Sequence, residues 1–203
     1  MSYQVRLLVS GTLIIDPPWP YQVAKEGGNR TGYSNFEYPP LSIDELGKLP
    51  IRELGDYLFL WTTGPFIEEA YKLIRTWGFE PITFLAWVKT SRLEAGKELP
   101  FKPNYGVGYW FRGCVEPIIV AKAPKVPSIR TKWVGLLCDN ARHSRKPDTL
   151  QEIVEKSPFP EPWTELFGRR PRDRWTVLGN EMDGLDIRES IGRLLDSQKL
   201  VAA

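Results

Sequence analysis

The chain reads as an α/β protein, a mixed and mostly parallel sheet of about seven strands with helices on both faces. Three observations predict this class. Seven strand-like runs recur along the 203 residues, and most are near-continuously apolar, as expected of strands covered on both sides. Helical patterns stand between several of them, and such alternation leads to parallel strands joined by crossover helices. The length suits one domain with a short tail, and 42% hydrophobic residues can fill its core.

The elements follow in order. Gly11 to Asp16 opens the series as a strand of aliphatics closed by a carboxylate. Ser42 to Glu45 has the form of a capping box and starts a short helix to Leu49. Tyr57 to Trp61 is the second strand. Pro65 begins a second helix, with Phe66, Ala70, Leu73, Ile74 and Trp77 on one stripe and Gly78 at its end. Strands follow at Pro81 to Val88, Val115 to Ala121 and Trp133 to Cys138. Asp148 is the expected cap of a third helix, with Leu150, Ile153 and Val154 inward, which stops before Pro158. Trp163 to Phe167 and Trp175 to Leu178 complete the strands, and Asp186 to Leu200 forms an amphipathic helix. The organisation is a main domain over residues 1–184 and a C-terminal helix or tail over 185–203.

Three long segments fit no regular element: residues 20–41, 90–108 and 122–147. Loops of that length inside a compact domain are functional or disordered. In an open α/β sheet, ligands bind beyond the carboxyl ends of the strands. The first loop leaves from such an end. Net charge is only +2, but residues 122–146 carry seven Lys or Arg against a single Asp, a pattern that tracks phosphates or forms a solvated loop. Eight tryptophans is a high count, either core or platforms for a flat ligand. One histidine and the scattered Cys114 and Cys138 make neither a zinc ligand set nor a disulfide framework. No window approaches the roughly 18 consecutive apolar residues of a membrane span. The first residues lack a cleavable signal layout, so a cytoplasmic protein is expected.

The chemistry concentrates in Asp16-Pro17-Pro18-Trp19. A strand-terminating turn accounts for a bare Asp-Pro-Pro. A second reading concerns a planar amine. Asp16 can accept from an NH₂ group, the Pro17 carbonyl is a second acceptor aimed by fixed backbone angles, and Trp19 offers a face for a base. Base stacking on such a face contributes roughly 1–3 kcal/mol. Two acceptors on one amine would hold its hydrogens and aim its lone pair, catalysis by positioning and electrostatics.

These residues resemble the catalytic motif of amino-methyltransferases that act on exocyclic amines of nucleobases, and the DPPW form points to adenine over cytosine. The chain is similar to the family that contains the catalytic subunit of the eukaryotic messenger-RNA adenine methyltransferase and its bacterial and phage relatives. The matching stretches are "LFLWTT" at 58–63, "WGFEPITFLAWVKT" at 77–90, "CVEPIIVAKAP" at 114–124, "RHSRKPD" at 142–148, "ELFGRR" at 165–170 and "WTVLGNEMDG" at 175–184.

The resemblance implies a Rossmann-like methyltransferase fold with permuted motif order over 1–184, and S-adenosylmethionine as methyl donor. It places Glu165, Phe167 and Arg169 at the cofactor edge, Asn180 and Glu181 on the ribose hydroxyls, and Lys146 on the donor's methionine carboxylate. Asp16 would also meet the donor's ammonium. An amide and a carboxylate suit a vicinal diol, and a lysine beside a helix N-terminus suits a carboxylate. Tyr38, Trp110 and Arg112 align with segments that enclose the target base. His143 reads as a structural hydrogen-bonder. The implied reaction is direct in-line transfer to adenine N(6), without a covalent enzyme intermediate or a metal. DNA is the expected acceptor ahead of RNA. A catalytically silent nucleic-acid-binding subunit and a cytosine N(4) methyltransferase are the alternatives. So small a domain would read a duplex as a homodimer or with a partner subunit.

Overall fold

A computed structural model of the chain describes residues 10–20, 41–93, 101–103, 113–140 and 146–202. The first strand, β1 (Thr12–Ile15), is wholly buried. Helix α1 (Ile43–Gly47) starts at the expected capping box: the Ser42 hydroxyl accepts from the Glu45 amide, and the Glu45 carboxylate accepts from the Ser42 amide at 2.9 Å. After β2 (Tyr57–Trp61), a 3₁₀ turn over Gly64–Phe66 contains Pro65, and α2 (Ile67–Thr76) begins only beyond it. Its inward stripe is the predicted one, with Ala70, Leu73 and Ile74 buried.

Strand β3 (Glu80–Leu93) runs well past the expected Val88 and pairs with a short β4 (Phe101–Pro103), inside the stretch read as loop. Polar residues such as Lys89 and Thr90 interrupt the apolar run there, while the backbone ladder continues. Strand β5 (Val115–Lys122) matches its prediction within a residue, whereas β6 (Leu136–Asn140) starts after Trp133 and Val134, both exposed. Helix α3 (Thr149–Glu155) follows Asp148, whose carboxylate makes no capping bond and instead accepts from Arg170 at 2.9 Å. Then come β7 (Trp163–Leu166), β8 (Trp175–Leu178), a single turn α4 (Asn180–Asp183) and the C-terminal α5 (Ile187–Ala202).

The strands form one eight-stranded sheet in the order β4-β3-β5-β2-β1-β7-β8, with β6 paired to β3. Pairs β1–β2, β1–β7, β7–β8 and β3–β6 are parallel, and β5 runs antiparallel to both neighbours. The eighth strand, beyond the expected seven, is the short β4. Alternation in β1 and β2 divides the core. Leu13, Ile15, Leu58 and Leu60 face Leu46 of α1, Leu73 and Ile74 of α2, and Ile187 and Ile191 of α5. Ile14, Phe59 and Trp61 face the other way, onto Leu150, Ile153 and Val154 of α3. Both faces are therefore covered, and the helix after residue 184 is part of the same core. Each such buried aliphatic contributes about 1.5–3 kcal/mol, so truncating Leu58 to Ala would cost about 2–5 kcal/mol. Among the described residues no helix is long and apolar enough to cross a membrane.

β1 lies between β2, reached early in the chain, and β7, reached late. The chain leaves β1 to one side and returns on the other, which makes its carboxyl end a switch point where ligands bind.

Candidate active site

At that end of β1 the chain turns sharply. The Trp19 amide donates to the Pro17 carbonyl at 2.8 Å, closing a three-residue turn around Pro18. The Pro17 carbonyl is thereby fixed in direction and keeps a second lone pair. Trp19 differs from the expected platform for a base. Its indole is buried at 4% exposure, lies stacked on Phe66 with centroids 5.2 Å apart, and donates Nε1–H to the Trp61 carbonyl at 3.2 Å. It braces the turn against the end of β2, an apolar body with its one polar handle satisfied.

The Asp16 side chain, about one-third exposed, stands at the edge of an open cleft of about 400 Å³. The Lys146 ammonium lies 3.3 Å from the Asp16 carboxylate and 2.5 Å from Glu116. Lys89 pairs with the other oxygen of Glu116. The result is a row of alternating charge: Lys89, Glu116, Lys146, Asp16. Two indoles shield it, since Lys146 lies over Trp61 at 4.6 Å and over Trp87 at 5.9 Å, with Lys89 over Trp87 at 5.2 Å. Low dielectric strengthens such pairs and penalises any member left alone.

Burial pushes the Asp16 carboxyl above the usual aspartate range, with Lys146 opposing and Glu116 adding to the rise. Burial alone would lower the Lys146 ammonium, but Asp16 and Glu116 outweigh it and hold the pKa above the ordinary lysine value. Burial likewise works against ionised Glu116, and the two lysines overcome it, leaving its carboxyl below the usual range. Lys146 thus stands beside Asp16. It spends two of its three N–H donors on carboxylates, and the third has no partner among the described residues.

The other wall of the cleft comes from β7 and the turn after it. Ile14 and Glu165 are register partners, so Glu165 points to the α3 face, where Gln151 donates Nε2–H to it at 3.0 Å. Burial raises the Glu165 carboxyl, while the Gln151 bond opposes the rise and the nearby Asp16 charge adds to it. Phe167 leaves the strand with φ 63°, a left-handed conformation rare for a side chain of that size, and it lines the cleft with Arg169 and Glu181. The Arg169 Nε lies 3.4 Å from Glu181. Gly168 and Gly179 let the two turns cross: a Cβ on Gly179 would sit 2.4 Å from the Gly168 carbonyl oxygen. Asn180 is exposed at the first position of α4, one residue from Glu181 and outside the cleft lining.

The structure thus brings Asp16, Lys146, Glu165, Phe167, Arg169 and Glu181 to one cleft. Tyr38, Trp110, Arg112 and His143 lie outside the described residues. The described part of the basic run is divided between two places. β5 is antiparallel to β2, so Lys122 and the first residues after it sit at the end of the sheet opposite Asp16. There Tyr57, at the start of β2, donates Oη–H to the Pro127 carbonyl at 2.8 Å, and Lys122 is bonded to the Val126 carbonyl. Of the basic residues in the described part of that run, Lys146 alone reaches the cleft.

Glu116 was the residue that motif reading missed. Its signal is parity: it alternates with Ile118, which faces the α3 layer, so a carboxylate stands where the pattern calls for an apolar side chain. Glu165 carries the same mark, two residues after buried Trp163.

The chain has relatives among known proteins. Over 184 residues the chain is 28% identical to the N(6)-adenosine-methyltransferase catalytic subunit METTL3 of Homo sapiens, covering 86% of this chain and 28% of that protein. It is 28% identical over 182 residues to the N(6)-adenosine-methyltransferase MT-A70-like protein of Drosophila melanogaster, covering 85% of this chain and 27% of that one. Against the type II methyltransferase M.MunI of Mycoplasma sp. it is 28% identical over 189 residues, with 82% and 75% of the two chains covered. The chain spans little more than a quarter of the length of the first two relatives. The Rossmann-like sheet, with its Asp-Pro-Pro-Trp strand ahead of the Glu165 strand, and a family match that runs over residues 11–181 show that the chain belongs to the MT-A70 family.

Proposed function

We propose that the chain transfers a methyl group from S-adenosylmethionine to the exocyclic N(6) amine of adenine in nucleic acid, with DNA preferred over RNA. The observation that carries this reading is the tip of β1, where the Asp16 carboxylate and the turn-fixed Pro17 carbonyl stand beside a cleft with complementary groups for the donor. When bound, S-adenosylmethionine supplies an electrophilic methyl on a sulfonium.

The residues present fit that donor. Lys146 has an N–H left for a carboxylate, Asp16 and Glu165 can accept from an ammonium or hydroxyls, and Glu181 with Arg169 lines the place for the nucleoside. On the acceptor side, Asp16 and the Pro17 carbonyl take the two amine hydrogens and direct the lone pair toward the cleft. The upward shift of the Asp16 carboxyl makes it the better acceptor for the proton the amine must release. Lys146 and Glu116 hold Asp16 in place throughout.

The preference for DNA draws on the match to the type II methyltransferase, which spans most of both chains, whereas METTL3 is matched over 28% of its length. The remaining parts of the proposal are a cytoplasmic location and a second copy or partner subunit that widens the reading surface. The test is methyl transfer to defined DNA and RNA oligonucleotides, with free nucleoside as control and product identified by mass. Wild type yields N(6)-methyladenine, mostly in DNA, and Asp16→Ala loses several orders of magnitude in rate while staying folded. N(4)-methylcytosine without methyladenine, or near-normal turnover in Asp16→Ala, overturns the proposal.

A further inference from the structure

We infer that Gln151 is a positioning residue, whose buried amide holds the Glu165 carboxylate aimed into the donor-binding side of the cleft. The inference rests on the reading of that cleft as the donor site. Gln151 is 6% exposed, in a helix whose other inward residues are Leu150, Ile153 and Val154. An apolar residue at 151 would continue that layer. The amide instead donates Nε2–H to Glu165 Oε2 at 3.0 Å, and its own Oε1 is buried with no hydrogen-bond partner among the described residues. A buried polar atom left unsatisfied is unfavourable and marks a residue retained for another purpose.

That purpose lies in the partner. Glu165 occupies the parity position that faces α3, where the strand pattern calls for an apolar side chain. Gln151 and Glu165 are polar groups in a mainly apolar layer, each explained by the other, and both line the cleft. The carboxylate accepts and the amide donates, so the bond selects ionised Glu165 and fixes its direction. Without the amide, Glu165 would be freer to turn and easier to protonate.

The test compares wild type with Gln151→Met, which keeps volume and removes the hydrogen bond, after a thermal melt shows both folded. The Glu165 carboxyl is titrated by carbon NMR with no donor present. The Kd for S-adenosylmethionine is then measured by calorimetry at one pH below the two measured midpoints and one pH above them. In Gln151→Met the Glu165 midpoint moves up. Donor binding weakens about tenfold, the loss of one charge-assisted bond, and the deficit differs between the two pH values because the carboxyl is ionised in both proteins only above both midpoints. The KM for the donor rises while the KM for nucleic acid stays the same. An unmoved Glu165 midpoint, or a donor deficit equal at both pH values, overturns the inference. If wild type fails to bind S-adenosylmethionine, the reading of the cleft fails, and the titration without donor still decides whether Gln151 controls Glu165.

Discussion

Replacing Glu116 by Gln removes one negative charge from between two lysines and leaves the shape almost unchanged. Glu116 accepts from Lys146 at 2.5 Å and pairs with Lys89, and only 13% of its side chain meets solvent. Bonds to a charged partner contribute about 1.5–3 kcal/mol each, and a neutral amide, with a single oxygen, retains about 1 kcal/mol of one bond and none of the other. The substitution should therefore lower stability by about 2–5 kcal/mol at pH 7. For a domain of this length that is about 4–20 °C in melting temperature.

The pH dependence gives the sharper signature. Burial opposes ionisation of Glu116, but Lys146 and Lys89 overcome it, so the folded pKa is depressed below 4.5. A depressed carboxyl stabilises the fold above its unfolded pKa, and that stabilisation is lost as pH falls through the folded value. The difference between wild type and Glu116→Gln in urea unfolding should thus be full at pH 7 and shrink toward zero on acidification below 4.5. Equal stability at pH 7, or a difference that acid leaves intact, would refute the charge row as described.

Lys146→Ala should weaken S-adenosylmethionine binding more than nucleic-acid binding in calorimetry. It should also move the acid limb of the rate to higher pH, because Lys146 is what holds the raised Asp16 carboxyl down. Glu116→Gln should move the same limb the other way, since Glu116 adds to the rise. Gly179→Ala would set a Cβ 2.4 Å from a backbone oxygen, so a loss of about 1–3 kcal/mol is expected by chemical denaturation, with donor Kd weakened as the turns separate.

Much of the sheet was legible because buried strands write themselves as apolar runs. β1, β2, β5, β7 and β8 each fall within a residue or so of where the side chains place them. β4 and the far half of β3 were hidden, since three residues are too few to show a pattern and polar residues interrupt the apolar run of β3. The capping box at Ser42 and Glu45 is a local code and was readable, whereas Asp148 has cap chemistry but found a stronger partner in Arg170 across the fold. Asp16 was visible as a charge ending an apolar strand. Glu116, which shares Lys146 with it, was not, because the two come near each other only after β5 reverses direction and brings its first residues back to the tip of β1. The same reversal carries Lys122 to the opposite end, which composition cannot show. Trp19 looked like a ligand platform because its sequence neighbours are chemical, and burial against Phe66 made it a brace.

The most direct measurement is a crystal structure with S-adenosylmethionine bound. The account predicts the methyl carbon within reach of an adenine amine held by Asp16 and the Pro17 carbonyl, with the methionine carboxylate on Lys146 and the ribose toward Glu181. A donor bound with its methyl turned away from Asp16, beyond the reach of any base at the tip of β1, would contradict it.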